Sequence, residues 1–372
     1  MESVGIIVEY NPFHNGHLYQ INKIKEMYPN KPIIVILNGY FLERGLISLE
    51  SKEEKTRLAL KYGVDLVIEL PFIFGSNSAD TFADASVTLL NSLKVDTLVF
   101  GSESNDIELL TKIAKVQLED NFDEKVKEYL DQGINYPTAL NKAIGIELDS
   151  PNDLLGVSYI KSILKNNYDI TPVSIKRTND YHDNELNETI VSASNIRTKL
   201  DNKEDISKYI PEGKIETINY DLFYKLLKYK IITDNDLSKY LTVDEGIDYK
   251  LKKVINECNT LEELINAIKT KRYTYNRIMR MFIHILIGLT KENKEKIIKP
   301  EYIRLLGFSE EGSIYLNNIK KDLDLPLVTK YTHIESLIKD YELKAAEVYE
   351  LLTNDNVLKF ELNNKPIKKE II

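Results

Sequence analysis

Two of the five histidines in this 372-residue chain stand three residues apart, in His14-Asn15-Gly16-His17. They follow an apolar run, Val4-Gly5-Ile6-Ile7-Val8, and precede a segment with helical patterning from about His17 to Met27. A helix that opens there presents unpaired backbone N–H groups and the positive end of its dipole, which together favour an anion such as phosphate. Gly16 lets a nucleotide approach the backbone closely. Imidazoles can donate hydrogen bonds to phosphate oxygens as charge develops during transfer. His14 and His17 are therefore the candidate catalytic residues, and the chemistry expected is transfer at phosphorus. No Ser or Cys nucleophile and no metal cage is evident, and transfer of this kind needs mainly positioning and charge stabilisation.

The elements around this turn repeat one pattern. Pro32–Leu37, Asp65–Pro71, Thr97–Gly101 and Thr171–Lys176 read as further strands. Between them lie helical segments over Ser51–Tyr62, capped by Gly63, and over Ala79–Leu93. Near-continuous apolar strands separated by helices predict a parallel sheet covered on both faces, so the fold class expected is α/β, with a doubly wound, five-stranded Rossmann-like sheet. Ligands of such sheets bind beyond the carboxyl ends of the strands. The unusual residues sit at those ends: after Val8, after Leu37, at Gly101 and after Lys176. From about Asp201 helical periodicity takes over, through Leu222–Ile231, Leu261–Thr270, Tyr275–Leu289 and Ile334–Leu352. Two domains are expected: residues 1–200 as the nucleotide-binding catalytic domain and 201–372 as a mostly helical domain.

Composition bounds the rest. No apolar run approaches the ~18–20 residues that span a bilayer, and Met1-Glu2-Ser3 lacks a signal peptide's basic flank. The single cysteine, Cys258, excludes an internal disulfide framework and a cysteine zinc site, and reads as a packing residue. A reducing, cytoplasmic setting with no membrane partner is expected. The net charge of −9 argues against a general polyanion binder, and DNA is not expected as a partner. RNA stays open, because a local basic face can serve on an acidic protein. The basic cluster in the helical half is Lys269, Lys271, Arg272, Arg277 and Arg280, interleaved with Tyr273 and Tyr275; cations beside rings suit phosphate contact and base stacking. By pattern alone it reads equally as the charged face of a helix that packs Met281-Phe282-Ile283 inside. Ser48, Lys52, Glu53 and Glu54 read simply as a helix start.

The His14–His17 turn resembles the HIGH-type nucleotidyltransferase superfamily, whose members bind ATP phosphates there. Ser192-Ala193-Ser194-Asn195-Ile196-Arg197 resembles that superfamily's second helix-start motif, where Ser192, Ser194 and Arg197 would grip the β- and γ-phosphates. A narrower resemblance, to the bacterial tRNA(Met) cytidine acetate ligase family, rests on Gly5 to His17, Asn38-Gly39-Tyr40-Phe41-Leu42-Glu43-Arg44-Gly45, Phe100-Gly101-Ser102-Glu103 and Ser150 to Gly156. It continues through Thr270 to Ile278 and Tyr302 to Phe308. Asn38, Tyr40 and Glu43 depart from the family's second-loop pattern.

The resemblance implies activation of acetate by ATP to acetyl-adenylate and transfer of acetyl to N4 of the wobble cytidine of elongator tRNA(Met). It places ATP on Ile7, Val8, Glu9, Tyr10, Asn11, Pro12, Phe13, His14, Asn15, Gly16, His17, Leu18, Tyr19 and Gln20, with Gly101, Asn152 and Arg177 completing the pocket. Mg²⁺ would be held through the ATP phosphates, with no metal site of the protein's own. The alternative is a small-molecule adenylyltransferase acting on a phosphopantetheine- or nicotinamide-mononucleotide-like substrate.

Overall fold

In the computed structural model, residues 2–134, 136–148, 150–177, 189–363 and 365–369 are described. The chain runs β1 (Val4–Val8), α1 (Asn15–Met27), β2 (Ile33–Asn38), α2 (Lys52–Lys61), β3 (Leu66–Leu70), α3 (Phe72–Gly75), α4 (Ala79–Ser92) and β4 (Thr97–Ser102). Helices α5 (Ile107–Val116), α6 (Phe122–Asp131), α7 (Tyr136–Ile144) and α8 (Pro151–Asn166) precede β5 (Thr171–Lys176) and α9 (Ala193–Asp201). Then come α10 (Tyr220–Thr233), α11 (Ile247–Val254), α12 (Leu261–Ile268), α13 (Tyr275–Ile287) and α14 (Lys291–Lys296). The remainder is β6 (Ile303–Phe308), α15 (Glu310–Ile319), β7 (Leu327–Val328), α16 (Leu337–Thr353), α17 (Val357–Asn363) and β8 (Ile367–Lys368).

The five expected strands are parallel and ordered β5-β4-β1-β2-β3. Alternation along each strand sends Ile34, Ile36, Leu66, Ile68 and Leu98 into one core and Val35, Leu37, Val67 and Val99 into the other. The α/β class is as expected, and the sheet is wider than expected. β6 adds antiparallel to β3, and β7 and β8 both pair with β6, giving eight strands among the described residues. Arg304, a cation inside the β6 run, obscures that strand in the sequence.

Arg304 shares two buried carboxylates with Lys52. Lys52 opens α2, where the pattern predicts a plain helix start, yet its side chain is fully buried. Its ammonium lies 2.5 Å from Glu69, 2.7 Å from Glu342 and 2.8 Å from Glu361. Arg304 pairs with Glu69 at 2.9 Å and with Glu361. The Tyr40 hydroxyl donates to Glu361 at 2.5 Å and the Tyr331 hydroxyl donates to Glu69. Three carboxylates share two cations, and burial first of all pushes Glu342 up to about 7. The group ties β3 and α2 to β6, α16 and α17, so the end of the chain is fastened to the sheet by charges that cannot be left unpaired.

Lys55, one turn further along α2, acts on the site itself. Its buried ammonium donates to the carbonyls of Glu9, Asn38 and Gly39 at 3.0, 2.7 and 2.7 Å, joining the chain where it leaves β1 and β2. Replacing Lys52 by Met leaves three buried carboxylates facing one cation and is expected to lower the free energy of unfolding by about 3–5 kcal/mol. Equilibrium urea denaturation checks this; a change below about 1 kcal/mol would show that the group does not hold the halves together.

Candidate active site

The cleft lies beyond the carboxyl ends of β1, β4 and β5. His14 is the N-cap of α1, with extended backbone, and its Nδ1 accepts from the Gly16 N–H at 3.0 Å. The His14 N–H in turn donates to His17 Nδ1 at 3.2 Å, so the two residues cap the same helix start reciprocally. A nitrogen that accepts cannot carry the proton, so each neutral ring holds its hydrogen on Nε2. The ring centroids are 3.9 Å apart, both rings line the cleft, and neither Nε2 has a protein partner among the described residues. Desolvation, reinforced by Arg177 and Arg197, lowers His14 to about 4. His17 is lowered well below the usual imidazole range by burial and by its neighbours His14 and Arg177. Gly16 is required here: a Cβ would stand 2.7 Å from His14 Cε1 and 2.9 Å from its Nδ1.

The second predicted motif arrives at the same place. Ser192 caps α9 by accepting from the Asn195 N–H at 3.2 Å, and Ala193, Ser194 and Arg197 join it in the cleft lining. Arg197 donates to the Asn11 carbonyl at 2.8 Å and to the Ser194 hydroxyl at 3.0 Å. Asn15 completes the junction. Its N–H donates to the Tyr209 carbonyl at 3.0 Å and its side-chain amide to the carbonyls of Thr189 and Lys208 at 2.9 and 3.0 Å. Two helix N-termini are thereby fixed around one cavity.

Gly101, Asn152 and Arg177 form the far wall. A Cβ on Gly101 would lie 3.3 Å from Arg177 Cγ, so the glycine makes room for that side chain across the sheet end. Asn152 donates to Glu103 at 2.5 Å and accepts from Arg177 at 3.4 Å. Glu103 also lines the cleft, and it appears in the sequence only as part of a motif, because its partner Asn152 lies 49 positions away.

Of the predicted run, Ile7, Val8, Glu9, Tyr10, Asn11, His14, Gly16, His17, Tyr19 and Gln20 line the cavity. Pro12, Phe13 and Leu18 do not; Phe13 is buried beneath the rings of Tyr10 and His17, and Leu18 packs into the core. Asn38 and Glu43, which depart from the family pattern, both serve Glu9: the Asn38 amide and the Glu43 N–H donate to Glu9 Oε1 at 2.8 Å each. Tyr40 belongs to the buried ion group and not to the cleft.

The basic cluster divides. Lys269, Lys271 and Arg272 are exposed, with Arg272 3.4 Å from Glu245. Arg277 lies over the Tyr273 ring at 4.1 Å. Arg280 belongs elsewhere: it turns inward to pair with Glu43 at 2.9 Å and to donate to the Asn77 carbonyl at 2.7 Å, which ties α13 to the loop after β2. Tyr273 is buried, its hydroxyl bonded to the Asp244 backbone, and offers no stacking face, whereas Tyr275 is 45% exposed.

The sequence matches the HIGH Nucleotidyl Transferase family over residues 1–365. It is 40% identical to the tRNA(Met) cytidine acetate ligase of Geobacillus sp. (strain WCH70), covering 99% of this chain and 100% of that protein. To the protein of the same name from Bacillus subtilis (strain 168) it is 35% identical, over 94% of this chain and 92% of the other. The fold superposes on the crystal structure of Thermotoga maritima TmcAL bound with alpha-thio ATP with a TM-score of 0.89 and 29% identity, covering 99% of both chains.

The low basicity of His14 has a measurable consequence. Its folded value lies below its unfolded one, so the stabilisation is complete above about pH 6.5 and is lost as pH falls toward 4. His14→Asn retains a capping oxygen and removes the titration. The loss of unfolding free energy between pH 7 and 4 should be smaller in the variant by roughly 2–3 kcal/mol. Identical pH profiles in chemical denaturation would show that His14 is freely hydrated.

Proposed function

The chain belongs to the tRNA(Met) cytidine acetate ligase family of HIGH nucleotidyl transferases, and from that premise we propose how its cleft carries the reaction. The protein is an ATP-dependent ligase that modifies tRNA(Met). The observation that carries the reading is the convergence of two helix starts, those of α1 and α9, on a cavity lined by His14, His17, Ser194, Arg177 and Arg197. Every polar group in that set donates, which suits a polyphosphate. A small-molecule adenylyltransferase is not favoured, because the ligase relatives are matched along both halves of the chain.

In this reading ATP lies with its α-phosphorus beside the two imidazoles. Acetate attacks that phosphorus, pyrophosphate leaves, and acetyl-adenylate remains. The Nε2–H groups of His14 and His17 donate to the phosphate oxygens as charge shifts in the transition state, and Ser192, Ser194 and Arg197 hold the departing phosphates. Since the caps fix both rings, no reorientation is needed at the moment of reaction. Imidazole, guanidinium, hydroxyl and amide donors fit phosphate oxygens, and Glu43 and Glu103 are already partnered, so Mg²⁺ would be held chiefly through the ATP phosphates and would offset their charge there. The acetyl group then passes to N4 of the wobble cytidine of elongator tRNA(Met). No helix among the described residues is long and apolar enough to cross a membrane, and the cytoplasm, where tRNA is found, is the proposed setting. Lys269, Lys271, Arg272 and Arg277 are proposed to meet the tRNA backbone.

Incubation with radiolabelled acetate, ATP and tRNA from cells lacking the modification should place label in tRNA(Met). Unlabelled tRNA despite confirmed ATP binding would overturn the ligase reading. Arg272→Ala with Arg277→Ala should weaken tRNA binding and flatten its salt dependence by about two counterions, leaving acetate-dependent ATP–pyrophosphate exchange in place. An unchanged affinity would return the cluster to an ordinary solvated helix face.

A further inference from the structure

The cleft has two chemically different halves. One is the donor-rich half just described. The other is walled by Leu42, Phe82, Phe100 and Tyr159 and carries two carboxylates, Glu9 and Glu43. Phe100 and Tyr159 meet edge to face, centroids 5.8 Å apart, and form a firm apolar wall. Carboxylates repel phosphate and acetate, so this half is unsuited to either anion. It suits a flat, neutral ring that has a hydrogen to donate.

Glu43 is already neutralised, at 2.9 Å from Arg280. Glu9 is not: among the described residues it makes no ion pair. Its Oε1 receives two N–H donors at 2.8 Å each, which hold the carboxylate in place and leave Oε2 without a protein partner. The other bases of the cleft are occupied. His14 and His17 use Nδ1 for the helix cap. Glu103 takes the Asn152 amide on one oxygen and the Asp153 N–H on the other. Among the described residues Glu9 is therefore the cleft-lining carboxylate that has no ion-pair partner and keeps one oxygen unbonded.

The acceptor amine needs such a group. The N4 lone pair of cytosine is delocalised into the ring, and attack without deprotonation would leave a positive nitrogen. Resting on the ligase reading, we propose that this apolar half holds the cytosine ring and that Glu9 accepts the N4–H and takes its proton during acetyl transfer. A carboxylate is the natural acceptor for that amine, and unstacked bases are commonly held against aromatic side chains. The nitrogen pair forms the C–N bond to the acetyl carbon while the carbonyl π pair moves to oxygen. That pair returns as the bond from carbon to the adenylate oxygen breaks, AMP departs with the bonding pair, and the N4 proton ends on Glu9.

The two half-reactions separate this role from others. Full-length Glu9→Gln keeps an oxygen for Asn38 and the Glu43 N–H but cannot take a proton. Acetyl transfer to tRNA in a single turnover should fall about 100-fold or more, and that loss should exceed the loss in acetate-dependent ATP–pyrophosphate exchange by at least about 30-fold. Glu9→Asp, which retains a carboxylate, should transfer at least about 10-fold faster than the Gln variant. Transfer near the wild-type rate in Glu9→Gln, equal losses in both half-reactions, or an Asp variant no faster than the Gln variant would each overturn the proposal. Should the Gln variant not fold, the Asp variant decides by the same split between transfer and exchange. Wild-type protein that exchanges pyrophosphate yet labels no tRNA would instead bring down the ligase reading itself.

Discussion

The start of α1 can be capped by imidazoles only while both are neutral, and the geometry of the cleft depends on that constraint. Four N–H groups at a helix start need acceptors. Here Nδ1 of His14 takes the Gly16 N–H and Nδ1 of His17 takes the His14 N–H. Burial that penalises the charged ring is also what keeps Nδ1 free to accept. The same choice of tautomer leaves both Nε2–H groups as donors. One desolvation effect thus sets the helix cap, the position of both rings and the sense of their hydrogen bonds.

Everything around that cap keeps it in register with its surroundings. Asn15, inside the motif, does not line the cleft and instead fixes the backbone on either side of α9. Arg197 returns the contact by donating to Asn11. Lys55 joins the ends of β1 and β2 by filling three carbonyls with one ammonium. Two helix starts and two strand ends are therefore coupled through backbone groups as well as side chains. Such coupling fixes the groups that line the cleft relative to one another.

The helical half is joined to this framework by charge. A buried group of Lys52, Arg304, Glu69, Glu342 and Glu361 is costly to desolvate and costlier to leave incomplete. That asymmetry favours a single docking of α16, α17 and β6 on the sheet. Arg280 adds a second tie through Glu43, whose own N–H orients Glu9. The helix that carries the half-buried Arg277, preceded by the exposed Arg272, is in this way physically continuous with the loop that shapes the cleft.

Periodicity and turn chemistry determined by themselves the five parallel strands and the helix after His14, since strand alternation and N-terminal capping are local properties; the Ser192–Arg197 motif was legible through its resemblance to the superfamily's second helix start. The residue types also pointed to the chemistry: two imidazoles and a glycine at a helix start imply an anion. Tertiary structure decided what depends on distant partners. β6 escaped notice because Arg304 breaks its apolar run, and that cation is tolerable only beside Glu69 and Glu361. Lys52 looked like an ordinary helix start because nothing local marks it as buried. Arg280 looked like part of a basic face because its partner, Glu43, is 237 positions away. Which carboxylate in the cleft stays free, and which are consumed by neighbours, follows from contacts no local pattern encodes.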